Sequence, residues 1–276
     1  MRKLHEHSAG RDNTRRATEK SPPPAPPCPT LILLTTHTQH THTNTHTTHP
    51  TPHQHDNWAV LKAQELARAC DPPVPVVVAF NLVPKFLEAT ARQYEFMLTG
   101  LSETERHLRE LGIAFHLTKG DPLVEIPKLA AELNTSALVC DMSPLRVPMM
   151  WSNGVAGKLD ADPLGIPVFQ VDAHNIVPVW EASDKKEVGA RTLRKKIHNG
   201  METFFTEFPP LEKQAKQEAG AAGEMPDPVD WALALGELQI DRSVAAVDWC
   251  VLFVCWESRT TWQSHVESHV EPGRAT

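Results

Sequence analysis

Residues 136–146, SALVCDMSPLR, and 166–185, IPVFQVDAHNIVPVWEASDK, share one pattern: an apolar run that stops at an aspartate, Asp141 or Asp172, followed by a turn or helix-start signal. Buried parallel strands of an α/β sheet look like this, with chemistry-capable groups at their carboxyl ends. The neighbouring sequence fits. Residues 56–69 read as a helix capped by Asp56, and 74–83, VPVVVAFNLV, as a β-branched buried strand. Pro84 opens a helix through Leu101. Ser102 and Glu105 then form a capping box for a second helix, which Gly112 stops. A strand follows at 113–118, and Asp121 and Pro122 begin a helix that contains Pro127. After the strand at 136–141, Ser143 and Pro144 start a helix that frays near Gly154 and Gly157, and 168–172 is the last clear strand.

Alternation of this kind predicts an α/β fold, a Rossmann-like, doubly wound, mostly parallel five-stranded sheet. Its first strand has only TLILLT, residues 30–35, to come from, and that strand would take a central position. The His/Thr tract at 36–55 would then be a loop of about twenty residues, far beyond the usual handful. Either the fold carries an insertion there or its first strand is lost. The tract's imidazoles suit zinc, copper or nickel, but with no fixed ligand spacing the low-complexity reading is preferred. Four regions result: residues 1–55 disordered, 56–182 the α/β domain, 183–249 a linker that includes a basic helical stretch, and 250–276 an unassigned tail.

The 276 residues carry a net charge of −7, so no global basic charge advertises nucleic-acid binding. The five cysteines form no C-x-x-C pair, which favours a reduced, intracellular protein; nucleus or cytoplasm is the expected location, with an organelle as the alternative. No apolar run reaches membrane-spanning length. Glycine-rich nucleotide loops, H-E-x-x-H and G-x-S-x-G are absent, which disfavours ordinary dinucleotide enzymes, P-loop NTPases, zincins and lipase-like hydrolases.

The candidate site residues are the strand-end groups Asn81, Asp141, Ser143, Arg146 and Asp172. Each has an ordinary alternative. Ser143 can simply cap its helix, Arg146 can form a surface ion pair, and Asp172 with Asn175 can tie down a turn. Arg191, Arg194, Lys195 and Lys196 make a basic helix face, for which solvation is favoured over phosphate contact.

DNWAV at 56–60, NLVPKFLEATARQYEFMLTGL at 81–101, DMSPLRVPMMW at 141–151, QVDAHNIVPVWEASDKKEVGARTLRKKI at 170–197 and FFTEFPP at 204–210 together resemble the N-terminal half of class II cyclobutane pyrimidine dimer photolyases. The resemblance runs from Asp56 to Leu211 and more weakly to about residue 249. It implies a Rossmann-like domain able to hold a light-harvesting antenna chromophore, with the five strand-end groups as candidates for that site. It also implies a following helical domain that binds FAD and DNA containing pyrimidine dimers and splits them in blue light. This chain does not match that helical domain, and TPHQH stands where the family has the polar turn after its first strand. No residue here is a catalytic candidate for dimer splitting, no metal site is expected, and a truncated or mis-joined gene product is one expectation. A non-catalytic Rossmann-like module holding a chromophore, nucleotide or partner is another, and an unstable fragment exposing an apolar docking face is a third.

Overall fold

The structure is a computed structural model that describes residues 5–6, 30–35, 57–162, 165–215 and 224–243. Six strands form one sheet: β1 (His5–Glu6), β2 (Thr30–Thr35), β3 (Val76–Leu82), β4 (Ala114–Lys119), β5 (Thr135–Asp141) and β6 (Val168–Val171). Their order is β1-β6-β5-β2-β3-β4. All pairings are parallel except β1 with β6. TLILLT is therefore the central strand of the expected doubly wound sheet, flanked by β3 and β5.

The sheet has six strands rather than the expected five, the additional one being the two-residue edge strand β1. A two-residue edge pairing rests on backbone hydrogen bonds alone, so no side-chain periodicity announces it. The His/Thr tract and the tail at 250–276 lie outside the described residues.

Alternation along the strands sends side chains to two cores. On one face Val76, Val78, Phe80 and Leu82 of β3 pack with Ala137 and Val139 of β5 under α1 (Trp58–Ala69) and α2 (Ala91–Glu110). On the other, Ala79, Leu138 and Cys140 meet α3 (Pro122–Glu132) and α4 (Arg146–Ala161). Asp121 caps α3 as expected, its carboxylate accepting from the Leu123 amide at 2.9 Å.

Several helix boundaries differ from expectation. α2 is one helix of 20 residues, started at Thr90 by a capping box with Gln93. Residues 84–90 form a loop instead of its first turns. Ser102 and Glu105 lie mid-helix: the Ser102 hydroxyl donates to the Thr99 carbonyl, and Glu105 turns inward. The S-x-x-E spacing also puts two residues on one helix face, which is why it mimics a start. α4 runs straight through Gly154 and Gly157. A Cβ at Gly154 would stand 2.9 Å from a Leu123 methyl, so this glycine lets α3 and α4 approach and does not fray the helix.

After β6 the described residues 172–215 and 224–243 make specific contacts with the body. α5 (Val179–Ala182) and α6 (Ala190–Phe204) lead to a strap in which Gln214 bonds both backbone groups of Val76 and the carbonyl of Gly112. Gln64 and Glu212 exchange two further bonds. α7 (Trp231–Gly236) then buries Ala234 against the core of α1 and α2, with Leu238 just beyond it. A Lys/Gln-rich composition reads as solvated, but here Gln214 bonds the start of a strand. Gly112 joins this strap to the body, with φ +75°, and a Cβ added to it would stand only 2.5 Å from the Gln214 carbonyl oxygen. Gly112→Ala is expected to lose about 2 kcal/mol of stability, through left-handed strain and a displaced strap, as a lower urea midpoint. An unchanged midpoint would contradict that role.

Candidate functional site

The sheet reverses direction between β2 and β5, and ligands of open α/β sheets bind outside the carboxyl ends of the strands at such a switch point. β5 ends there in Asp141, and because Asp141 pairs with Val171, the last residue of β6, Asp172 follows directly beside it. Ser143 follows β5 into the turn before α4. Asn57 sits at the start of α1, where its side-chain oxygen accepts from the Ala59 and Val60 amides at 2.8 and 3.2 Å. Asn57, and not Asp56, is thus the cap of α1, and its amide end is left to face Asp141.

Asp141 is 4 % exposed, and among the described residues its Oδ1 has no hydrogen-bond partner. Burial, with the neighbouring charge of Asp172, pushes its pKa up to about 7, and the Asn57 side chain moderates the rise. Asp141 is a weak acid able to offer or accept a proton near neutral pH. Cys140, behind it on β5, is pushed up to about 12 by burial and is an inert thiol.

Asp172 is spoken for. Its oxygens accept from the backbone amides of His174, Asn175 and Val179 at 3.2, 3.0 and 2.8 Å, and from the Asn175 side chain. It builds the turn from β6 into α5, the ordinary alternative named for it above. Asp172→Ala should orphan these donors and cost about 2 kcal/mol, read as a lower thermal midpoint. A midpoint within error of the parent would contradict that reading.

The other residues divide. The Ser143 hydroxyl is buried and accepts from the Leu145 amide at 3.2 Å, so it ties down the turn. Arg146 is the exposed first residue of α4. Asn81 lies on the far side of β2, donating to the Gly120 carbonyl at 3.0 Å and accepting from Thr118 at 2.8 Å. The structure brings together Asp141, Ser143 and Asp172, and it sets Asn81 two strands away. The residue missed in the sequence is Asn57, whose signal was an Asp-Asn pair with the cap one position later than read.

Beside Asp172 a cleft of about 330 Å³ opens between α1 and the strap, lined by Trp58, Lys62, Arg68, Pro178, Phe204 and Pro210 among others. That size is at the small end for a bound organic molecule. Trp58 stacks on Phe208 with ring centroids 4.6 Å apart.

The family model described as DNA photolyase matches residues 54–214. A deoxyribodipyrimidine photo-lyase of Potorous tridactylus is 45% identical over 194 residues, covering 70% of this chain and 35% of that protein. The chain belongs to the DNA photolyase family. A deoxyribodipyrimidine photo-lyase of Arabidopsis thaliana is 40% identical over 197 residues, covering 71% of this chain and 38% of the relative. The chain thus spans a little over a third of the length of these curated photolyases. The crystal structure of a bacterial class III photolyase from Agrobacterium tumefaciens superposes with a TM-score of 0.52 at 14% identity, over 80% of this chain and 40% of that one, which shows the fold.

Photolyases use FAD and an antenna chromophore. The Asp141 edge fits a chromophore with a polar rim, since it presents at the switch point a buried carboxyl oxygen unpartnered among the described residues. Among the described residues no helix is long and apolar enough to cross a membrane, and no cluster of metal-ligating side chains occurs.

Proposed function

We propose that this chain is the α/β, light-antenna part of a class II photolyase, serving light-dependent repair of cyclobutane pyrimidine dimers inside the cell. The match to photolyases over residues 54–214 supports the family role. The observation that carries the site is the buried Asp141 Oδ1, which has no partner among the described residues. In this reading Asp141 meets the polar rim of the chromophore, Asn57 orients the carboxyl, and Ser143 and Asp172 hold the two turns that frame it. Bound there, a chromophore would absorb light and pass the excitation onward. Flavin binding and dimer splitting are assigned to the part of the relatives' length outside the match, and none of the residues here is given a catalytic role.

Purified chain should take up a planar chromophore in equimolar amount, read as a near-ultraviolet or blue absorbance band that Asp141→Ala removes. It should leave dimers in irradiated DNA unchanged under blue light. A band indifferent to Asp141, or dimer loss by the chain alone, would overturn this assignment.

A further inference from the structure

α6 runs fifteen residues without burying one of them. Leu193, Ile197 and Phe204 lie half-buried on the side that meets α5. Arg191, Arg194, Lys195 and His198 recur at i, i+3, i+4 and i+7, which places them on one exposed ridge on the other side. Lys196 falls off this ridge and is neutralised by Glu187 at 2.7 Å. Among the described residues no acidic side chain pairs with Arg191, Arg194 or Lys195. Exposed Lys185 and Lys186 precede the helix, and Glu202 closes the ridge one turn beyond His198. The cations cluster toward the amino end of α6, where the helix dipole disfavours positive charge, so they do not serve the helix itself. They also stand on a chain whose net charge is −7.

We propose that this ridge is a contact for the phosphate backbone of duplex DNA, separate from the Asp141 edge. Charge complementarity identifies the occupant. Two guanidinium groups match phosphate bidentately, and the helical rise spreads the ridge over about 10 Å of rigid rod. No apolar residue stands among Arg191, Arg194, Lys195 and His198, whereas a docked protein segment would call for an apolar anchor. Contacts of this kind position a protein on DNA without reading sequence. The choice of DNA among polyanions rests on the proposed function above.

The test is fluorescence anisotropy of a labelled, lesion-free duplex of about two helical turns with the full chain, titrated between about 50 and 200 mM salt. Three phosphate contacts predict a log–log salt slope of about −3. The variant combining Arg191→Gln, Arg194→Gln and Lys195→Gln should bring the slope near zero and weaken binding at least about tenfold at the lowest salt. Because all three side chains are exposed, its melting temperature should match the parent. If it does not, Arg194→Gln alone should lower the slope by about one. No salt-dependent binding by the parent, no change in the variants, or a poly-glutamate chain bound as tightly as the duplex would each overturn the inference. Duplex binding through α6 without chromophore uptake would defeat the antenna assignment and leave this inference standing; the reverse result would do the opposite.

Discussion

Glu105→Ala is expected to cost about 3–5 kcal/mol of folding stability, the range for removing one partner of a buried ion pair. Glu105 is 4 % exposed on the inner face of α2. Its Oε1 accepts from the Val229 amide at 3.0 Å and pairs with Arg109 at 2.9 Å, and its Oε2 accepts from the Trp231 indole at 2.9 Å. Arg109 in turn donates to the Pro226 carbonyl at 2.7 Å. One carboxylate thereby fastens residues 226–231 to the α/β body, and the Trp231 ring rests on Phe115 with centroids 5.9 Å apart. Alanine leaves the indole N–H, the Val229 amide and the guanidinium without their acceptor in a partly dry site, so the loss exceeds that of an exposed pair. Glu105→Gln keeps one acceptor oxygen and should recover part of the loss. The checks are the denaturant midpoint and hydrogen exchange at 229–238. A loss under about 1 kcal/mol, or exchange unchanged in that segment, would show that hydrophobic contact alone holds α7.

What the sequence disclosed and what it hid follow from the range of the interactions concerned. The strands announced themselves because apolar runs such as 76–80, VVVAF, are buried on both faces and carry no polar interruption. The strand-end aspartates were legible for the same reason, as polar full stops to apolar runs. The work of each was not. Asp141 and Asp172 look alike in sequence, yet Asp172 is saturated by amides of its own turn while Asp141 faces inward with an empty oxygen. That difference depends on where the chain goes after each strand, and on Asn57, more than eighty positions earlier. Asn81 failed for a topological reason: it ends a strand on the other side of β2, so it shares the edge and not the site. Glu105 was read as a helix start because its real partners, Val229 and Trp231, are more than a hundred residues away. The strap at 211–215 and α7 were read as linker since composition reports average solvation and cannot show that Gln214 completes the hydrogen bonding of a strand.

Asp141→Asn is expected to make the chain more stable at pH 8 and to leave stability unchanged near pH 4. Burial holds the carboxyl at about 7 in the folded chain against an ordinary 3.8. The folded state therefore keeps a proton that the unfolded state releases between about pH 4 and 7. Since stability rises with pH only where the unfolded state binds more protons, it falls across this window. The full difference corresponds to about 4 kcal/mol, complete above pH 7 and absent below pH 4. Glu187, whose pKa is lowered to about 2 by hydrogen bonds from Lys196, Thr192 and Ser183, acts in the opposite sense and below this window. It stands in both proteins and cancels in their difference. Asparagine cannot ionise, so the variant should show a flat difference curve where the parent declines, with a gain at pH 8 approaching that figure. Urea midpoints for the two proteins at half-unit steps from pH 4 to 8 would measure it. Parallel curves would mean that Asp141 is already solvated or neutralised and is not a ligand contact. The same variant should bind chromophore more weakly. A carboxyl that weakens the fold containing it, and leaves one oxygen without a partner among the described residues, points to a ligand that supplies the missing partner.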